Sequence, residues 1–209
     1  MITGIVMAAG LSRRMGVNKL LLCIDDIPMI KRTLNTIEKS KLQRLIVIYS
    51  DESVLEVIKD YIQEHNKRTN NPMEIKLVYN EHPARGQSES VKLGMYESEK
   101  DSRGYIFFVA DQPFLNHEVI NEILDTFTKN PGHIVVPTYN NNRGMPIIFP
   151  GKYRLDLLSV SGDKGGRSII DENQRETIFL PIADPKVGED MDTIEDYEKV
   201  CKIDSERRM

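Results

Sequence analysis

The segment Tyr105–Ala110, YIFFVA, is apolar at every position. A strand with one wet face alternates apolar and polar residues. A strand apolar on both sides must be covered on both, as inner strands of parallel sheets are. Six other runs of strand length accompany it: Thr3–Met7, Arg44–Tyr49, Glu74–Tyr79, His133–Pro137, Pro146–Phe149 and Thr177–Pro181. Helical patterns separate the early ones. Ile27, Ile30, Leu34 and Ile37 share one face, with Pro28 suited to a first turn; Val54, Val57, Ile58 and Tyr61 share another, and Val119, Ile123 and Phe127 a third. Strand and helix alternate to about residue 137, which predicts a doubly wound, mostly parallel α/β sheet. Beyond residue 138 the pattern loosens into loops, short strands and a short helix, expected to be a substrate-facing part of the same domain.

The chain has 209 residues and a net charge of −4, enough length for one large domain and no excess of cations for a nucleic-acid partner. No apolar stretch reaches the roughly 18 residues of a membrane span, and no leader segment is recognisable, so a cytoplasmic protein is expected. Cys23 and Cys201 form no CxxC and are expected to be small buried hydrophobes. The polar stretch Glu64–Asn71 reads as a loop. A single domain is expected over residues 1–203, with residues 204–209 as a frayed tail.

In an open α/β sheet, ligands bind beyond the carboxyl ends of the strands, so motifs that directly follow a strand are the ones to weigh. The first apolar run is followed by Ala8-Ala9-Gly10, then Ser12-Arg13-Arg14-Met15-Gly16, then Lys19. The spacing is neither GxGxxG nor a P-loop. Gly10 and Gly16 permit a tight loop with backbone N–H groups facing an anion; Ser12 adds a hydroxyl, Arg13 or Arg14 a planar fork, and Lys19 a point charge. A polyphosphate is the natural guest. Asp111 follows the most buried strand, where a carboxylate is placed to ligate Mg²⁺ together with substrate phosphates. In GEDMDTIED, Thr193 and Asp196 have capping-box spacing, and Glu195 suits a first helical turn. Neither role needs Asp190 or Asp192, which leaves one of the two as a second metal ligand. Gly86-Gln87-Ser88 opens a helix whose free N–H groups suit a base edge or an anion, with Ser88 or Ser90 also able to cap it. RGMP and GDKGGR, with Arg143, Lys164 and Arg167, suggest a second anion pocket. The four histidines form no metal or catalytic pair, and most are expected at the surface. Transfer between phosphates needs positioning and charge neutralisation more than a general base.

Taken in order, MAAGLSRRMGVNKLLL, GQSESVKLG, ADQP, RGMPIIF, GDKGGR and DMDTIED resemble the molybdenum-cofactor nucleotidyltransferases among the MobA-like NTP transferases. The resemblance covers nearly the whole chain. It implies a Rossmann-like three-layer α/β/α sandwich of the nucleotide-diphospho-sugar transferase type, and transfer of a nucleotidyl group onto the phosphate of molybdopterin with release of pyrophosphate. It places Ala8, Ala9, Gly10, Ser12, Arg13, Arg14, Met15, Gly16, Lys19, Gln87 and Ser88 on the nucleotide. Asp111 and Asp192 fall on Mg²⁺, with Mn²⁺ as an alternative, and Lys19, Arg13 and Asp111 are implied to be catalytic. Arg143, Gly144, Asp163, Lys164 and Gly165 fall on the acceptor. Ile194 stands where the family usually has Pro. Residues 8–10, Ala-Ala-Gly, resemble the cytidylyl branch, so CTP is the expected donor and a molybdenum hydroxylase or other molybdoenzyme the expected recipient. A guanylyltransferase on the same cofactor, a transferase acting on a sugar phosphate or other small phosphate, and a non-catalytic carrier or insertion chaperone remain as alternatives.

Overall fold

A computed structural model describes residues 1–12, 15–70, 72–162 and 165–206. The described residues form ten strands and seven α-helices: β1 (Ile2–Ala8), β2 (Cys23–Ile24), β3 (Ile27–Pro28), α1 (Met29–Glu38), β4 (Arg44–Tyr49), α2 (Glu52–Arg68), β5 (Glu74–Tyr79), α3 (Gln87–Glu97), β6 (Gly104–Val109), α4 (His117–Lys129), β7 (Ile134–Tyr139), β8 (Asn142–Arg143), β9 (Ile147–Pro150), α5 (Arg154–Ser159), α6 (Arg167–Glu172), β10 (Thr177–Pro181) and α7 (Ile194–Glu206). The main sheet runs β10-β7-β9-β6-β1-β4-β5, with β8 paired to β7, and β2 and β3 form a separate small hairpin. The pairs β6–β1, β1–β4, β4–β5 and β7–β10 are parallel, while β9 is antiparallel to both β6 and β7.

The period of two along the inner strands divides the core. Ile106 and Phe108 of β6, with Leu45 and Val47 of β4, meet the buried faces of α1, α2 and α4. Tyr105 and Phe107, with Ile46 and Ile48, meet α3, α5 and α6 on the other side. The result is the three-layer α/β/α sandwich. Chain order explains the position of the cleft: β1 is followed outward by β4 and β5, and the chain then returns to place β6 on the other flank of β1. The loops leaving β1 and β6 therefore diverge, which opens a crevice at the carboxyl edge between them.

Local details depart from expectation. Ile27 lies in β3, and α1 starts at Met29 with Pro28 as its cap residue, so Met29 rather than Ile27 begins the buried face. The stretch 64–68 is the last part of α2. Its inward residue is His65, whose Nε2 accepts from the Met73 N–H at 3.0 Å and whose Nδ1 lies 2.9 Å from Glu38 Oε1. A polar side chain thus holds the buried position, so apolar periodicity does not report it, and His65 is not at the surface. Helix α7 continues through Glu206, with Asp204 paired to Arg32 at 3.1 Å, so residues 204–206 do not form a tail. Cys23 is exposed and Cys201 half-buried; neither belongs to the interior. No helix among the described residues is long and apolar enough to cross a membrane.

Candidate active site

After β1 the chain leaves the sheet at Ala9 and folds back over the start of α2. Ser12 takes a left-handed conformation (φ 45°), uncommon for a residue with a Cβ, and its carbonyl accepts from the Met15 N–H at 3.0 Å. Its Oγ accepts from the Lys19 N–H at 3.2 Å, so the hydroxyl braces the loop and keeps its proton to donate. Gly16 (φ +68°) completes the turn, and methyl groups added at Gly10 or Gly16 would enter open space. The bare backbone is what an approaching anion needs. Met15 is buried under the loop, and Ser50 Oγ donates to the Ala9 carbonyl at 3.3 Å. Asn18 caps a single 3₁₀ turn, Lys19–Leu21, which carries the lysine.

Lys19 Nζ lies 2.5 Å from Asp111 Oδ2 and 2.8 Å from Asp192 Oδ1. Burial alone would lower the pKa of this ammonium, but the charges and hydrogen bonds of Asp111 and Asp192 outweigh it and raise the pKa above the ordinary value. Asp111 emerges directly after β6, and its second oxygen, Oδ1, is buried with no hydrogen-bond partner among the described residues. Asp192 arrives from the far end of the chain. The Met191 N–H donates to the Asp111 carbonyl at 2.9 Å, and Gln112 Nε2 donates to the Gly188 carbonyl at 3.3 Å, which joins the two segments edge to edge. Beyond them Asp196 Oδ2 accepts from the Asp192 and Thr193 N–H groups at 3.1 and 2.9 Å, while Thr193 Oγ1 accepts from the Asp196 N–H at 3.1 Å. That is a capping box with the shorter acid, and it holds the Asp196 carboxyl below its usual range through Thr193 and the backbone.

Two cavities meet here. The first, about 400 Å³, is lined by Ala9, Gly10, Ser12, Lys19, Gln87 and Ser90, among others, with Asp111 and Asp192 at one end. The second, about 260 Å³, has an apolar floor of Val91, Phe107, Phe149 and Leu157, and a rim that includes Gly165, Arg167 and Asp190. Asp111 and Gln87 line both. Met191 is fully buried, so its two neighbours face outward into different cavities: Asp192 into the first, Asp190 into the second. Desolvation on its inner side and the adjacent Asp111 charge push the Asp190 carboxyl up to about 6, although its outer edge is exposed.

The remaining expected residues divide. Gly86 (φ +93°) precedes α3, and no side chain among the described residues caps the helix; Ser90 rather than Ser88 faces the first cavity, held by Asn80 Nδ2 at 3.2 Å. Ser88 is buried away from it. Gly165 reaches the second cavity, where a methyl at its Cα would sit 2.8 Å from Gln87 Oε1. Arg143 and Gly144 line neither. The Arg143 guanidinium pairs with Asp171 at 2.5 Å and lies over the Phe179 ring at 5.1 Å, and Gly144 gives room to the Tyr139 ring. Strand β8 lies on the side of β7 that faces β9, opposite β10. Arg13, Arg14, Asp163 and Lys164 lie outside the described residues. From sequence Asp190 is only the alternative to Asp192 as a metal ligand, and nothing points to its place beside an aromatic floor. The alternation Asp-Met-Asp was the available signal, legible once the segment is known to be extended.

Among the described residues no three His, Cys, Asp or Glu side chains converge to hold a metal unaided. Two carboxylates, one with a buried unpartnered oxygen, instead match the hard-oxygen, few-ligand habit of Mg²⁺ or Mn²⁺ shared with substrate phosphates.

The chain is similar to known proteins over nearly its whole length. The purine catabolism protein PucB of Bacillus subtilis is 28% identical over 202 residues, covering 94% of each chain. The crystal structure of a Mycobacterium tuberculosis Rv0371c homologue from Mycobacterium sp. strain JC1 superposes with a TM-score of 0.78 at 26% identity, over 99% of this chain and 98% of that one. A nucleotidyl transferase from Methanothermobacter thermautotrophicus shares the fold, with a TM-score of 0.79 at 17% identity over 99% of both. Residues 4–177 match the MobA-like NTP transferase domain, and with the strand-end lysine and carboxylates already in place, the chain belongs to that family of nucleotidyltransferases.

Proposed function

We propose that the protein transfers CMP from CTP to the phosphate of molybdopterin, releasing pyrophosphate. The observation that carries this reading is the pair of adjoining cavities with Asp111 at their junction. The first is polar and closed by Lys19; the second is floored by aromatic and aliphatic side chains. Phe107 and Phe149 meet edge to face at 5.9 Å in that floor, which suits a planar heterocycle better than a polyol and favours a pterin over a sugar phosphate. A carrier without catalysis has no evident use for a lysine held between two carboxylates.

In this reading the Gly10 backbone, Ser12 and the loop arginines hold the triphosphate. Lys19 turns from its carboxylates to neutralise charge gathering on the departing pyrophosphate. Gln87, shared by both cavities, orients donor and acceptor, so that an acceptor phosphate oxygen meets the α-phosphorus in line. Asp111 and Asp192 would hold a Mg²⁺ or Mn²⁺ ion, which when bound supplies Lewis-acid stabilisation of the phosphates. Ala9, buried in the wall of the first cavity, narrows the space beside the base and favours a pyrimidine. One methyl group is worth about 10–200-fold in discrimination. The expected result is a higher kcat/KM for CTP than for GTP with molybdopterin as acceptor, read by pyrophosphate release, and partial relaxation in Ala9→Gly. Preference for GTP would refute the cytidylyl assignment, and pyrophosphate release only with sugar phosphates would refute the acceptor. A molybdenum hydroxylase is the recipient this product would serve.

A further inference from the structure

We propose that Asn18 is the positioning residue for Lys19, through a two-ended amide bridge to Asp51. This inference rests on the nucleotidyltransferase reading of the site and adds a residue to it. Asn18 Oδ1 accepts from the Leu20 N–H at 3.1 Å, which closes the short turn on which Lys19 rides. At the other end of the same amide, Nδ2 donates to Asp51 Oδ2 at 3.0 Å. The orientation is forced by chemistry, since the Leu20 N–H needs an acceptor and the Asp51 carboxylate needs a donor.

Asp51 is itself fixed. Its Oδ1 caps α2 by accepting from the Ser53 and Val54 N–H groups at 2.8 and 3.2 Å. The Asn18 hydrogen bond, ahead of the backbone contacts, holds the Asp51 carboxyl below its usual range. The lysine turn is therefore tied to the first turn of a 17-residue helix. The turn is also held by the Lys19 N–H to Ser12 Oγ within the loop, by the buried Leu20 side chain and by the Lys19 ammonium on Asp111 and Asp192. The amide bridge refers the height of Lys19 above the sheet edge to a packed helix. Neither Asn18 nor Asp51 lines the first cavity, but both line a neighbouring one of about 320 Å³ with Gly10, Ser12 and Gly16, so a lowered kcat with CTP binding unchanged is what marks an effect through Lys19.

The bridge has a polarity that can be exchanged. Asn18→Asp keeps the cap on Leu20 but sets two carboxylates against each other. Asp51→Asn keeps the cap on α2 but sets two amide donors face to face. The double variant Asn18→Asp/Asp51→Asn restores one donor, one acceptor and both caps at unchanged net charge. Catalysis is steeply sensitive to displacement: an error of about 1 Å can cost on the order of 100-fold. Expected for Asn18→Asp is a fall in kcat of about 10–100-fold with the acceptor KM held, and for the double variant a return to within about 3-fold of wild type. Calorimetric binding of CTP with Mg²⁺ is measured in all four proteins, and circular dichroism confirms their folding. If Asn18→Asp does not fold, Asn18→Ser, which keeps an acceptor for Leu20 but is too short to reach Asp51, is used in its place, with the same fall in kcat expected. Single variants with wild-type kcat, or a double variant no better than Asn18→Asp, would overturn the positioning role while leaving the nucleotidyltransferase reading intact. A wild-type protein that binds neither CTP nor GTP would overturn both.

Discussion

Lys19→Met should make the nucleotide-free protein bind a divalent cation more tightly while making it a poorer enzyme. Methionine keeps the length and apolar stem of lysine but removes the charge that Asp111 and Asp192 share. Both contacts are charge-assisted hydrogen bonds in a half-buried setting, where each is worth roughly 1.5–3 kcal/mol. A cation that takes both carboxylates without nucleotide present must first release the ammonium from both. At the low end of that range the release costs about 3 kcal/mol, which corresponds to about 100-fold in affinity. With a triphosphate bound, Lys19 has other anions to meet and the competition largely disappears. Free Mn²⁺ measured by electron paramagnetic resonance gives the affinity directly, with no dependence on turnover. The expected pattern is an apparent Kd about 100-fold lower for Lys19→Met than for wild type without nucleotide, and a kcat lower by about 10²–10³. Equal or weaker Mn²⁺ binding by Lys19→Met would show that the lysine and the cation do not compete for these carboxylates.

Two further tests address the scaffold. Glu38 is held below its ordinary pKa: burial opposes this, but hydrogen bonds from Tyr61 and His65 outweigh it. Its ionised form therefore stabilises the fold above the unfolded pKa, and that contribution is lost as pH falls through the folded value. Glu38→Gln should lower Tm at pH 7 by several degrees, for a loss of about 1–2 kcal/mol, with the gap to wild type closing below pH 4.5; a gap constant with pH would refute the linkage. Gly94 lets α3 approach β1, since an added methyl would lie 2.6 Å from Ile5 Cγ2. Gly94→Ala should cost about 1–3 kcal/mol by overpacking, seen as a lower urea midpoint, and an unchanged midpoint would show that the interface has slack.

The sheet was legible because its signal is local. The runs at Arg44–Tyr49, Glu74–Tyr79 and Thr177–Pro181 match β4, β5 and β10 residue for residue, since polar or turn-forming residues bound each apolar stretch. What local patterns missed was held by distant partners. The end of α2 lacks an apolar stripe because Glu38 and Met73 satisfy His65, and neither is on that helix. Arg143 in RGMP has the composition of an anion ligand, but its position is decided by Asp171 and Phe179, which lie in elements far along the chain from the motif.

The site shows the same division more sharply. Lys19 and Asp111 could be nominated from sequence because each comes after a buried strand, and parallel strands deliver their succeeding loops to one edge. Asp190 and Asp192 succeed no strand of the sheet so directly, and charge counting alone cannot choose between them. Met191 turns both of them outward. Its side chain is fully buried beside Ile24, Met29, Phe114 and Val200, and its N–H pairs with the Asp111 carbonyl. In extended chain the residues before and after an anchored apolar one point the same way, away from it, so both acids are turned outward from the core. Asp192 joins Lys19, 173 positions away in sequence, while Asp190 enters the adjoining cavity. The two acids are alike in type and differ in what they meet: Asp192 pairs with Lys19, and Asp190 lines the second cavity. A hydrophobic contact and a backbone hydrogen bond thus bring both acids to the edge of the two cavities, and what each meets there, Lys19 for Asp192 and the second cavity for Asp190, gives them different surroundings.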